Sequence, residues 1–165
     1  MKPLPRFELL PIEQLHAHEE VDPDDVERLV RAIQTAGVVE DPIWVAEGSG
    51  VVLNGHHRLS ALRVLQARRV PAWVVDYEDD SVGLERWSPG PVISKAEVVR
   101  RALSGELFPP KTTRHRVPLP PERHRIPLAE LLAPVGATST LTATSRTQPE
   151  RPRSSRGRAG SSRGT

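Results

Sequence analysis

The stretch "LNGHHRLSAL", residues 53–62, sets His56, His57 and Arg58 directly after an Asn54–Gly55 turn. Gly55 permits a sharp reversal, and the apolar spacing after it fits a helix. The first N–H groups of such a helix lack intrahelical partners, and its dipole adds partial positive charge. Three basic side chains at this end call for an anion, and a phosphate is the fitting one. A solvated basic helix start is the plainer reading of the same residues. A second stretch, "LFPPKTTRHRVPLP" at 107–120, places Lys111, Thr112, Thr113, Arg114 and His115 in succession between prolines. Ammonium, hydroxyl, guanidinium and imidazole groups in a stiff loop suit phosphate or carboxylate oxygens, an exposed basic linker being the alternative. The third is Glu19 in "LHAHEE", residues 15–20, which is either a solvated charge or a carboxylate fixed ahead of a helix.

The elements that must position these groups are short. "HEEVDPDDVERLVRAIQTAG" predicts a helix over Pro23–Ala36, with Asp22 as N-cap, Pro23 in the first turn and Gly37 closing it. Val26, Leu29, Val30 and Ile33 form its apolar stripe. "PIWVA" at 42–46 and "VVL" at 51–53 are strand-like runs joined by a hairpin over "EGSG". "AWVVDY" at 72–77 is a further buried strand, and "SKAEVVRRALSG" is a helix with a Ser94/Glu97 capping box and a Gly105 stop. The fold class is therefore α/β (α+β): one small domain, residues 1–133, with a short mixed sheet flanked by helices. No internal repeat is present.

The formal charge of +2 hides an asymmetry. Residues 144–165 carry six Arg and one Glu, +5, which leaves −3 for the remainder. A Ser/Gly/Arg/Pro segment cannot bury enough apolar surface to offset its ordering entropy, so residues 134–165 are expected to be a disordered tail. Weak, non-specific contact with nucleic acid is one reading of that tail and a dispensable solvated segment the other. No cysteine is present, which removes disulfides, thiolate metal sites and cysteine nucleophiles. With no long apolar run near the N-terminus or elsewhere, the expectation is a soluble cytoplasmic protein without membrane association.

"LNGHHRLSAL" resembles the ParB/sulfiredoxin-like superfamily, in which a strand, a tight G-x-x-R turn and a helix hold nucleotide phosphates. Within it, "HEE", "LNGHHR", "RW" at Arg86–Trp87 and "GELFPPKTTRH" look like the free L-serine kinases, which phosphorylate the amino acid itself with ADP or ATP. The likeness runs over roughly residues 7–132, with 105–115 its most specific part. It implies a sulfiredoxin-like fold, a nucleotide on Gly55, His56, His57 and Arg58, and free L-serine near Trp87 and Lys111–His115. It also implies Glu19 as the base for the serine hydroxyl. Magnesium is expected from phosphoryl-transfer chemistry rather than from any cluster of carboxylates.

Two departures bear on that expectation. The family motif reads D-G-H-H-R, whereas Asn54 stands in the place of its catalytic aspartate. Asn54 accepts a hydrogen bond but carries no charge for magnesium or a proton, so turnover is expected to be weakened or absent. The segment "WSPGPVIS", 87–94, is also very short. The alternative is a non-catalytic ParB-like nucleotide- or DNA-binding regulatory protein. Sequence-specific DNA readout is disfavoured because the chain after 132 has no helical period for a helix-turn-helix. A nuclease reading lacks a metal-ligand constellation.

Overall fold

Strand β1 (Arg6–Pro11) runs against β5 (Arg69–Val75) at one edge of a four-stranded sheet of order β1-β5-β3-β4. β3 (Ile43–Ala46) lies parallel to β5 and antiparallel to β4 (Val52–Asn54). The computed structural model describes residues 4–134; the expected tail lies outside them apart from Pro134. α1 (Pro23–Ala36) precedes β2 (Val38–Val39), and α2 (His56–Val64) carries the chain from β4 to β5. β6 (Gly83–Arg86), α3 (Lys95–Ser104), β7 (Thr113–Arg116), β8 (Ile126–Pro127) and α4 (Leu128–Leu132) complete it. β6 pairs with β7, and β2 with β8.

Alternation along the central strands divides the core in two. Ile43, Val45, Val52, Val70 and Ala72 face α1, α2 and α4 through Val26, Ile33, Leu59, Leu62 and Leu131. Trp44, Ala46, Leu53, Trp73 and Val75 face the other way, onto Val98 and Ala102 of α3 and Phe108. With both faces covered, β3 and β5 read as continuous apolar runs instead of alternating ones.

The predicted helix at 23–36 forms with those bounds; Asp22 caps it by accepting the Asp24 N–H at 2.9 Å, and Gly37 ends it at φ +71°. Ser94 likewise accepts from Glu97 N–H at 3.1 Å, but the Glu97 carboxylate turns to Arg101 at 3.4 Å, so the box is capped from one side only. The strand expected at 72–77 starts at Arg69 and stops at Val75, because β1 pairs with its first residues down to Pro11↔Arg69. β1 itself, β6 and β7 are not foreseen by the pattern. The stiff basic loop expected over 107–120 is corrected in particular: its central part is a strand, in which Thr113 and His115 point inward and Arg114 and Arg116 outward. Among the described residues no helix is long and apolar enough to cross a membrane.

Candidate functional site

Gly55 links β4 to α2 at φ +101°, and a Cβ there would stand 2.6 Å from Ile43 Cγ2. Both the left-handed backbone and the close packing require glycine at this turn. α2 therefore starts abruptly at the sheet edge, with no side chain capping it and no acidic residue in its first turn. Its free N–H groups open onto a cleft of about 560 Å³. Asn54, Gly55, His56, His57 and Arg58 line one wall; Trp87, Lys111, Thr113, Arg114 and His115 line the other, and Glu19 stands between them. Of the residues singled out from the sequence, only Thr112 is absent from the lining: its hydroxyl donates to the Pro109 carbonyl at 2.7 Å and its N–H serves Glu19.

The structure revises the reading of three cations at the turn. His56 Nε2 accepts the His18 N–H at 3.3 Å, and His57 Nε2 accepts the Asp22 N–H at 3.2 Å. Both imidazoles thus brace the 18–22 segment against α2. Burial, with the neighbouring His18 and His115 rings adding to it, pushes the His56 pKa well below its usual value. Arg58 is the permanent cation of the turn. Burial opposes its charge, and its carboxylate partner is the highly exposed Asp41 at 3.8 Å, near the limit of an ion pair. This half-buried guanidinium, with so distant a partner, stands at an uncapped helix start where an anion would be favoured.

The second wall is organised by Glu19. Lys111 sits at φ +59°, a left-handed conformation uncommon for a residue with a side chain. That bend aims three successive N–H groups at one carboxylate: Oε1 accepts from Lys111 and from Thr112 (3.3 Å), and Oε2 from Thr113 (3.1 Å). The Thr113 hydroxyl adds a contact to Oε2 at 2.7 Å. This nest of backbone N–H groups, which the side-chain reading of the loop does not include, is filled by the protein's own carboxylate. Glu19 is accordingly not a solvated charge; it clamps the start of β7. The Lys111 and Arg114 side chains stay at the cleft, with no carboxylate partner among the described residues, and Arg114 lies 4.9 Å over the ring of Trp87. Trp87, 58% exposed, is held by its N–H to the Thr112 carbonyl at 3.2 Å.

His115 departs furthest from expectation. It is buried, its Nε2 is 2.7 Å from the Tyr77 hydroxyl, and burial together with His18 lowers its pKa to about 3. A ring engaged in this way is a neutral prop of the wall, not a cation for substrate. Burial also raises the Tyr77 pKa, and Lys95 Nζ donates to the Tyr77 carbonyl at 2.7 Å. His18, wholly buried behind Glu19, has its Nε2 2.9 Å from Thr113 Oγ1, and burial lowers its pKa to about 4. His18, Tyr77 and Lys95 were not picked out in the sequence. The one signal was the second histidine of "LHAHEE", which sits beside Glu19. No group of three or more potential metal-ligating side chains occurs among the described residues. A magnesium ion there would depend mostly on phosphate oxygens and water, as this ion commonly does.

The profile of the ParB N-terminal domain matches residues 6–83. Over this segment, just under half of the chain, the protein is similar to a ParB N-terminal domain. The segment contributes β1 to β5 and thus the whole α2 wall, while the Trp87 and β7 wall follows it in the chain. An ATP-dependent L-serine kinase of Staphylothermus marinus is 38% identical over 85 residues, 49% of this chain and 34% of that protein. An ADP-dependent L-serine kinase of Thermococcus kodakarensis is 26% identical over 99 residues, 58% of this chain and 41% of that protein. The matching stretch thus spans about a third to two-fifths of the length of these relatives. A solved free serine kinase in complex with AMP superposes with TM-score 0.68 at 18% identity, covering 79% of this chain and 95% of that one. At this identity the likeness establishes the ParB/serine-kinase-like fold, extending well beyond the ParB N-terminal domain itself.

Proposed function

We propose that the cleft is the active site of a kinase that transfers a phosphoryl group from ADP or ATP to free L-serine, giving O-phosphoserine. The observation carrying this reading is the two-walled cleft itself. An anion-seeking helix start with Arg58 faces a cationic wall, with one carboxylate between them. The named relatives are L-serine kinases, which supports the same assignment.

The donor's phosphates would lie on the N–H groups of α2 and on Arg58, with Lys111 neutralising charge on the migrating group. Serine would sit beside the stacked Trp87–Arg114 pair, its carboxylate on the guanidinium. Glu19 would take the hydroxyl proton as the serine oxygen attacks phosphorus and the bond to the nucleotide's leaving oxygen breaks. For that, one contact to its carboxylate must turn away, and the Thr113 hydroxyl is the one able to rotate. Magnesium bound through the nucleotide would supply charge neutralisation at the phosphates. Asn54 places a neutral amide at the cleft where the kinase motif has an acid, so binding is retained better than turnover.

The test is incubation with magnesium, ADP or ATP and a panel of free amino acids, followed by mass detection of phosphorylated products. O-phosphoserine formed with one nucleotide supports the proposal. Nucleotide binding without any product would identify a ParB-like nucleotide-binding module instead.

A further inference from the structure

Behind the cleft lies a three-member chain: Glu19 Oε2, Thr113 Oγ1 at 2.7 Å, and His18 Nε2 at 2.9 Å from that hydroxyl. Both contacts have hydrogen-bond length, but a hydroxyl carries one proton and two contacts need two. The second proton must come from one end. The Val52 backbone favours a proton on the His18 ring, although no acceptor is aligned well enough with Nδ1 to count as a bond. The contact fits two neutral tautomers: a proton on Nε2 donates to Thr113 Oγ1, whereas a proton on Nδ1, which has no hydrogen-bond partner, leaves Nε2 bare; an imidazolium is opposed by full burial and by the adjacent His56 and His115 rings. In the Nδ1 form, the one taken for the proposal, the Thr113 O–H donates to Glu19 at rest and the contact to His18 awaits a proton.

We propose that His18, acting through Thr113, is a positioning residue that makes room for the proton Glu19 takes from the acceptor hydroxyl. This rests on the kinase reading above. The serine O–H bond breaks and its proton goes to Glu19 Oε2. The new Glu19 O–H donates to Thr113 Oγ1, and the Thr113 O–H swings to His18 Nε2. No proton leaves the trio, no charge enters the buried layer, and both contacts become hydrogen bonds. A carboxylate with four donors is a poor base; the waiting acceptor offsets this because it favours the protonated acid. The other charged groups near these rings, Lys95 beside His115 and Arg63 beside His56, also disfavour an imidazolium and keep the layer neutral.

Two measurements test this. In ¹⁵N-edited NMR of the whole protein at pH 7, without substrate, His18 should show a proton on Nδ1 and a bare Nε2. Glu19→Gln imitates the protonated acid towards the Thr113 hydroxyl alone: its oxygen stays with the Lys111 and Thr112 N–H groups and its NH₂ donates to Thr113 Oγ1, while the Thr113 N–H that Oε2 accepts in the wild type loses its acceptor. Thr113 then turns to His18, and the Nε2 resonance should move upfield by several ppm. A proton on Nε2 in the wild type, or an unmoved resonance in the variant, overturns the proposal without any need for activity. In kinetics, His18→Phe should lower kcat/KM for serine about tenfold at unchanged nucleotide affinity. The loss should vanish in a Thr113→Val background and be largely rescued by His18→Gln, whose amide oxygen accepts from Thr113. Additive losses would overturn it. A wild type that phosphorylates no amino acid defeats the kinase reading, and the NMR arm still decides the positioning of Thr113 by His18.

Discussion

Lowering the pH should destabilise the protein through the buried imidazoles, and the size of the effect follows from their surroundings. His18 and His115 have pKa values of about 4 and about 3 in the fold against 6.5 for a solvated ring, chiefly because burial disfavours the charged form. The unfolded chain therefore binds protons that the native state refuses, and stability falls as pH falls. The full contribution is present above pH 6.5 and is lost progressively as pH drops towards the folded values. Between pH 7 and pH 5 His18 alone should cost about 2 kcal/mol, at about 1.4 kcal/mol per unit of differential pKa. His115 adds a similar amount, with the loss shared where the two rings interact, and His56 acts in the same direction. Against a total stability of roughly 5–15 kcal/mol this is a large fraction. Urea denaturation at pH 7, 6 and 5 and constant ionic strength measures it through the extrapolated free energies. His18→Gln should remove about one proton from the slope. A change below about 1 kcal/mol between pH 7 and 5, or an unaltered slope in that variant, would show that the imidazole layer is open to water.

Arg58→Ala should weaken nucleotide binding by about 1.5–3 kcal/mol, roughly 10- to 150-fold in Kd by calorimetry, since it deletes a charge-assisted contact. Gly55→Ala forces a side chain into φ +101° and against Ile43, and should lower Tm by at least about 5 °C in a thermal melt. Asn54→Asp should raise O-phosphoserine formation at least roughly tenfold, while nucleotide affinity changes less than about twofold.

Local signals were legible where local chemistry decides the outcome. Asp22, Pro23 and Gly37 bound α1 through capping and backbone preference, and Ser94 and Gly105 bound α3 in the same way. β1, β6 and β7 are specified by partners far along the chain. "RFELLP" becomes a strand because β5 stands beside it, and "TRHR" because Gly83–Arg86 does. The cleft's residues were named from chemical type and from resemblance, but the direction of each side chain was not readable. A run of basic residues shows charge, whereas strand alternation decides that Arg114 faces out and His115 in. The role of Glu19 was hidden for the same reason: its donors lie 92 to 94 residues away.

That separation has a consequence for how such a protein diversifies. The α2 wall belongs to the segment matched by the ParB N-terminal domain, and the facing wall follows it in the chain and is joined to it by the Glu19 carboxylate together with the His18–Thr113 and Tyr77–His115 contacts and the backbone bonds to Phe108. A later segment that keeps three N–H groups for Glu19 can carry any side chains at the positions of Trp87, Lys111 and Arg114 without disturbing the turn at Gly55. On the proposed kinase reading, acceptor choice and donor grip are thus separately heritable. A lineage can exchange one molecule for another on the outer wall while leaving the inner wall unchanged, and the clamp on Glu19 is the joint at which such an exchange succeeds or fails.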